Sequence, residues 1–324
     1  MKPAQTMTDH SLEISVNGKW VKVPAVDIDG QKITVKGKWL KVASIHDEWW
    51  LETELEDPQE CVKKLKEQAT GGVRADVFTF MQKVPGSLPR FEYIMEQESV
   101  AAARTANFKE WWASLPQETR KNVRRSQKRG VTVAIKEFDD DLIGGIAAVN
   151  NESSMRQGVP NAHYGKTFEQ VKKDHKSFLD RSDFICAYFE NEIIGFLKIV
   201  YRGDVAAVLN LAVMSSHSDK RPANALIAKA VELCESKGAP YLTYGRFNYG
   251  NKRDSPLREF KIRNGFEEVL TPRFYVPLTG WGKLCVRLGL HRGLLGILPH
   301  GVITMGINAR AKWYNFKQSI NAPV

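Results

Sequence analysis

Three groups of residues have types and spacing that could do chemistry. In the first, Lys220 and Arg221 stand at the mouth of a helix that begins where an almost wholly apolar run, Val205 to Met214, has ended. Free backbone N–H groups beside two cations suit a phosphate or pyrophosphate. In the second, Glu152, Arg156, Gln157, His163, Tyr164 and Lys166 crowd into the loop from Asn150 to Phe168, around Gly158, Pro160 and Gly165. Titratable groups combined with backbone freedom mark a place where an acceptor could be held. Histidine is the side chain that titrates nearest neutral pH, so His163 leads Glu152 as a base. In the third, Arg120, Lys121, Arg124, Arg125, Lys128 and Arg129 occur with no acid among them. A helix from about Pro116 to Arg129, with a capping box from Ser114 to Gln117 and a stop at Gly130, stacks them as two ridges. Like charges at i, i+4 repel, and Val123 is the only large apolar residue to dock the helix. The pattern predicts a polyanion partner or, equally, a solvated face.

The elements that must position these groups can be read from periodicity. Phe184 to Glu190 and Ile193 to Tyr201 form a tight hairpin round Asn191 and Glu192. Val205 to Met214, interrupted only by Asn210, is a strand covered on both faces. The segment after it starts a helix at Ser218 or Asp219, with Pro222 in the first turn and an apolar stripe from Leu226 to Cys234 up to Gly238. Near the start, GKWVKVPAV at Gly18 recurs as GKWLKVASI at Gly37, and turns at Asn17-Gly18, Asp29-Gly30 and Lys36-Gly37 make a β-meander. A helix begins at Asp57-Pro58, and Ala75 to Gln82 reads as a buried strand.

Composition bounds the rest. The 324 residues, 43% apolar, suffice for packed cores, and the net charge is +10. No apolar run has the length of a membrane span and the first residues lack a secretion signal, which predicts a soluble, cytoplasmic protein. Cys61, Cys186, Cys234 and Cys285 are far apart and read as reduced; no Cys or His spacing suggests a metal. From Val269 to Val324 there are seven Lys or Arg residues and no acid. WGKLCVRLGLHRGLLGIL, with Lys283, Arg287, His291 and Arg292 among leucines, reads either as a helix packed on the core or as a basic amphipathic element for an anionic membrane at its inner face or for RNA.

Residues 140 to 278 resemble, in their order of elements, the GNAT N-acyltransferase superfamily. That resemblance implies an α/β fold with a mixed central sheet flanked by helices, with Tyr241 to Phe247 as its fifth strand, Ser255 to Asn264 as the next helix and Phe274 to Leu278 as the closing strand. It aligns Lys220, Arg221, Pro222, Ala223, Asn224 and Ala225 with the family's pyrophosphate loop, Ala223 standing where a Gly is usual, and so implies acyl-CoA as donor. It implies an oxyanion site at the backbone from Leu211 to Val213, and Tyr244 as the acid for the leaving thiolate. No acid stands on the fourth strand, where Asn210 lies, so Glu152, His163 or a water must serve as base. Arg246 joins Arg156, Gln157, Tyr164 and Lys166 as candidate acceptor contacts. Residues Arg120, Asn122, Arg124, Lys128 and Gly130 further resemble the RxNxRxAxKxG helix of the FemABX peptidyltransferases, built from two GNAT-like halves and using aminoacyl-tRNA. The implied organisation is a meander over 1–50, a degenerate first half over 51–137, a complete acyltransferase half over 138–280 and a basic tail over 281–324. The expected activity is transfer of an acyl group from acyl-CoA to an amine, such as a cell-envelope or polysaccharide precursor. The alternatives are an aminoacyl-tRNA-dependent transferase, with tRNA as partner, and a non-catalytic polyanion-binding protein on the same fold.

Overall fold

The two GKW repeats fold as a meander. Strands β1 (Ser11–Val16), β2 (Lys19–Ile28), β3 (Gln31–Lys36) and β4 (Val42–Ile45) run antiparallel, each to the next. Asp29 and Gly30, between β2 and β3, take φ of 52° and 78°, the pair of positive angles that a two-residue hairpin needs to match the strand twist. The computed structural model describes residues 10–16, 18–68, 73–156, 159–248 and 255–292.

Helix α1 (Pro58–Gln68) lays Cys61 and Leu65 on a core of Ile33, Phe78, Phe80 and Phe274. Then follow β5 (Val77–Met81), β6 (Ile94–Arg104), α2 (Phe108–Ser114), α3 (Gln117–Lys128) and β7 (Thr132–Lys136). The basic helix is therefore present, but the capping box is not. Pro116 is the N-cap without a side-chain bond, and the Ser114 hydroxyl, still inside α2, donates to the Trp111 carbonyl instead. The chain continues through α4 (Asp140–Asn151), the two-residue strands β8 (Met155–Arg156) and β9 (Val159–Pro160), and α5 (Phe168–His175). It ends its described course in β10 (Ser182–Phe189), β11 (Glu192–Arg202), β12 (Val205–Val213), α6 (Pro222–Ser236), β13 (Tyr241–Arg246), α7 (Pro256–Arg263), β14 (Glu267–Pro277) and α8 (Gly280–Arg287).

Twelve strands join one mixed sheet in the order β1-β2-β3-β4-β5-β14-β6-β13-β12-β11-β10-β7. The closing strand is longer than Phe274 to Leu278 because Glu267 to Leu270 already pair with β6, Glu267 opposite Ala102. Strand β14 lies between β5 and β6, so the segments 51–137 and 138–280 interleave in one sheet. Strand period two divides the layers. Ile185 and Ala187 of β10 face α2, α3 and α6, with Trp111, Leu115, Leu226 and Val231, whereas Phe184 and Cys186 face α4 and α5, with Leu142, Ile146, Val149 and Val171. All four cysteines are buried thiols.

The last described helix docks through a missing side chain. Cys285 and Val286 of α8 bury against Leu40 and Val77, and a Cβ at Gly282 would collide with the Asp76 carbonyl. Since backbone cannot yield as a flexible side chain can, Gly282→Ala is expected to cost about 1–3 kcal/mol, read as a lowered urea midpoint with unchanged slope.

Candidate active site

Strands β12 and β13 run parallel and pair at Val205↔Tyr241, Ala206↔Leu242 and Ala207↔Thr243, and then part. Beyond that point β13 pairs only with β6, Arg246 opposite Val100. Strand β12 stays with β11 but carries a bulge, because Lys198 opposes Asn210 while Ile199 opposes Val208, leaving Leu209 as the extra residue. Met214 donates its N–H to Ile194 at 2.8 Å. Alternation in an antiparallel ladder then turns the N–H groups of Ala212 and Asn210 to β11 and those of Leu211 and Val213 to the edge that β13 has left.

Leu209, Asn210 and Arg246 from this split line a cavity of about 910 Å³. Its other walls come from the meander and the turn after it (Trp20, His46, Asp47, Glu48), from His163, from Asp174 to Phe178, and from Arg273, Tyr275 and His291. The Asn210 Oδ1 is buried without a partner. A chain of charges runs across the cavity: Arg246 Nε lies 2.6 Å from Glu98, Glu98 accepts from Arg273 Nε at 2.8 Å, and Arg273 Nη1 lies 3.1 Å from Glu48. Burial raises the Glu48 carboxyl above the usual range, against Arg273 and the Met81 N–H, which both favour its charged form. Burial likewise pushes His46 down and its neighbour Asp47 up.

On the opposite wall Asp174 accepts from Trp20 Nε1 at 2.8 Å and from Lys166 Nζ, with His163 Nδ1 at 3.8 Å. Burial raises its carboxyl, but His163, Lys166 and Trp20 outweigh that and hold it at about 2. Beside it, burial and Lys198 push His175 down to about 4. Lys198, opposite Asn210 and fully buried, donates to the His175 carbonyl at 2.6 Å and to Ser177, and burial lowers it to about 8.

The expected site residues do not all converge. His163 lines the cavity, and Arg246 does too, though its guanidinium is engaged by Glu98. Tyr164 is 50% exposed, Lys166 is taken up by Asp174, and Arg156 donates to the Val149 carbonyl. Gln157 lies outside the described residues. Tyr244 packs on the α6 side beside Phe266, with Lys261 Nζ 4.6 Å from its ring centre; it is the first residue beyond the last β12–β13 pair. Glu152 accepts from the N–H groups of Ser215 and Ser216 at 2.6 and 2.7 Å. Burial opposes its charge, yet these two amides hold its carboxyl below the usual range, so it is a capping anion more than a base.

That capping changes the reading of the loop from Ser215 to Ala225. His217 N–H bonds to Met214, Arg221 N–H to Ser218 and Asn224 N–H to Arg221, while Pro222 has none. Lys220 folds over the Phe189 ring at 4.5 Å and stays 3.6 Å from Asp219. Arg221 is exposed and takes φ 58° where glycine is usual, and the Asn224 amide donates to Asn264 Oδ1 at 3.0 Å. Past Pro222, the N–H groups of Ala223 and Ala225, two residues apart, have no carbonyl partner like that of Asn224 among the described residues. The basic helix is partly engaged as well: Arg129 binds Asp219, Arg125 reaches Asn122 and Glu118, and Arg124 covers Trp112. Arg120, Lys121 and Lys128 have no acidic partner among the described residues.

Sequence reasoning missed Asp174, Glu48 and Glu98, whose partners lie far along the chain. One signal existed: an Arg within the apolar TPRFYV run requires a buried acid to meet it.

A split pair of parallel strands, a bulge on the first and a loop-to-helix turn at its end define a GNAT-type fold. A family model described as acetyltransferase (GNAT) family matches residues 158–253. Among solved structures, FemX is similar with a TM-score of 0.52 at 12% identity, over 76% of this chain and 86% of that one. The C-terminal domain of a candidate lysylphosphatidylglycerol synthetase from Agrobacterium fabrum gives 0.54 at 13%, over 82% and 87%. L-PGS from Bacillus licheniformis gives 0.51 at 14%, over 82% and 86%. No curated protein sequence matches. The chain thus carries a GNAT domain within a fold similar to FemX.

The pKa of His175 sets a pH window for stability. Its folded pKa, about 4, lies below the unfolded value near 6.5. Between those values the unfolded chain binds a proton that the native state refuses, so stability falls as pH drops through the window, by up to about 3 kcal/mol. Urea unfolding across the window is expected to show this slope, and His175→Phe, which keeps the ring between Phe184 and Phe196, to flatten it.

Proposed function

We propose that the protein is an N-acyltransferase that moves an acyl group onto an amine-bearing acceptor, of the cell-envelope class, held in the 910 Å³ cavity. The observation that carries this reading is the split between β12 and β13 opening onto that cavity. In the first reading the donor is acyl-CoA, supported by the GNAT match over residues 158–253. The donor carbonyl would lie along the split, where the N–H groups of Leu211 and Val213 could meet its developing oxyanion. The acceptor amine would donate to Asn210 Oδ1, otherwise unpartnered. His163 takes the amine proton, its ring steered by Asp174. Tyr244, at the apex of the split beside Lys261, which burial lowers to about 8, protonates the leaving group.

A specific observation favours a second reading, an aminoacyl-tRNA donor. Of the amides near the expected pyrophosphate loop, those of Ser215 and Ser216 are taken by Glu152 and those of Arg221 and Asn224 by backbone carbonyls, and α3 keeps Arg120, Lys121 and Lys128 available for a polyphosphate backbone. The similarity to FemX and to lysylphosphatidylglycerol synthetases accords with it.

Thermal unfolding with acetyl-CoA, a longer acyl-CoA, free CoA and aminoacyl-tRNA separates the donors. A donor at a hundredfold over its dissociation constant stabilises by about 2.7 kcal/mol. Under the first reading CoA raises the melting temperature, Lys220→Ala with Arg221→Ala removes the rise, and Glu152→Ala, by freeing two amides, enlarges it. If CoA shifts neither the parent protein nor Glu152→Ala, the first reading fails. A tRNA shift that falls steeply with salt supports the second.

Whichever donor serves, His163→Ala is expected to lower kcat by roughly 10²–10⁴ with little change in KM. An unchanged kcat would remove His163 from the mechanism.

A further inference from the structure

Helix α8 has two apolar sides. Gly282, Cys285 and Val286 are buried, while Trp281, Leu284 and Leu288 are 45, 47 and 59% exposed at i, i+3 and i+7. This second stripe has no partner among the described residues. It is widened by Trp39 from the turn between β3 and β4, 51% exposed. Trp281 donates its Nε1–H to the Trp39 carbonyl at 3.0 Å and the rings meet edge to face at 6.3 Å. The turn can present Trp39 outward because Gly37 has φ 102° and a Cβ there would collide with the Leu40 carbonyl. Four of the fifteen exposed large apolar side chains therefore lie together.

Cations frame the stripe. Lys38, Lys41, Lys283 and Arg287 are exposed, and neither Lys36 to Lys41 nor Gly280 to Leu288 contains an acid. The nearest one, Asp76, is occupied by the Lys41 N–H and the Thr279 hydroxyl.

We propose that Trp39, Trp281, Leu284 and Leu288, ringed by Lys38, Lys41, Lys283 and Arg287, form a docking face for an anionic lipid bilayer. Paired indoles with one apolar and one polar edge suit the headgroup boundary. Projecting leucines suit acyl chains and cannot stack on nucleic-acid bases, while the cations match anionic headgroups. Eight residues are too few to span a bilayer, and among the described residues no helix is long and apolar enough to do so. Lys36, at the start of one of these segments, and His291, three residues past the end of the other, line the cavity. A docked protein therefore holds its cavity near the lipid surface. The inference does not depend on the proposed transfer reaction, since docking needs no donor.

The test is flotation of the full-length protein with phosphatidylglycerol–phosphatidylcholine vesicles, with phosphatidylcholine vesicles alone as reference. The expected result is binding that requires phosphatidylglycerol, falls about fivefold for each charge reversed in Lys283→Glu and Arg287→Glu, and falls at least about tenfold in Leu284→Glu with Leu288→Glu. Brominated lipid should quench the parent's tryptophan fluorescence more than that of Trp281→Ser or, on a separate element, Trp39→Ser. Melting curves show whether each variant is folded. Absence of binding to anionic vesicles overturns the proposal, as does undiminished binding by the folded double-leucine variant. A solution dimer dispersed by Leu284→Glu, without vesicle binding, overturns it in favour of a self-association face.

Discussion

A strand that parts from its neighbour leaves N–H and C=O groups without partners, and a sheet can keep such a gap only where other contacts hold the strands apart. Here those contacts are identifiable. After Thr243 β13 keeps only its pairing with β6, which shifts register before Arg246, Arg246 is anchored to Glu98, and Lys261 donates to the Arg246 carbonyl at 2.6 Å. On the other side, the Leu209 bulge re-aims the second half of β12 while Lys198 anchors the neighbouring strand to two carbonyls after α5. The cavity, the turned-out amides of Leu211 and Val213 and the unpartnered Asn210 oxygen all follow from that separation.

Much of this was legible in the sequence. The succession of hairpin, buried strand, basic loop and helix can be read because each element is amphipathic or apolar over its own length, and the meander because Gly18, Gly30 and Gly37 mark its turns. The Arg120–Arg129 helix was legible from Pro116 and the stop at Gly130, although the capping box read for it is absent and the source of its stability was not legible. Its repulsion is relieved partly within the chain, by Asp219, Glu118 and the Trp112 ring, and none of these can be assigned from spacing. The loop at Lys220 shows the same limit. Its sequence displays the cations, but Glu152, more than sixty residues earlier, takes up two of the amides. Contacts such as Trp20 with Asp174 or Glu48 with Arg273 depend on how separate segments meet, about which local periodicity is silent.

Buried charge is the other constant of the molecule. Lys198 and Lys261 are fully buried on opposite sides of the split strands, each with its ammonium donating to backbone carbonyls. Lys83, lowered to about 7 by burial and by nearby Arg202 and Arg181, does the same for Leu51 and Thr53. An ammonium so used costs desolvation, and an aliphatic side chain would not. What it gives in return is direction, because it fixes an irregular backbone segment at one position, and the segments so fixed, Leu51 to Thr53, His175 to Ser177 and Arg246, stand at or beside the cavity wall.

The placing of β14 between β5 and β6 bears on how the chain comes to be folded at all. Strands β5 and β6 emerge early in synthesis, yet neither pairs with the other; β14, within residues 267–277, lies between them and pairs with both. Until those residues leave the ribosome, the early part of the chain carries two apolar strands with open edges, the kind of surface that invites pairing with the wrong chain. Completion of the first half therefore waits on nearly the whole of the second. Long loop closures that span both halves are therefore expected to govern its rate of folding.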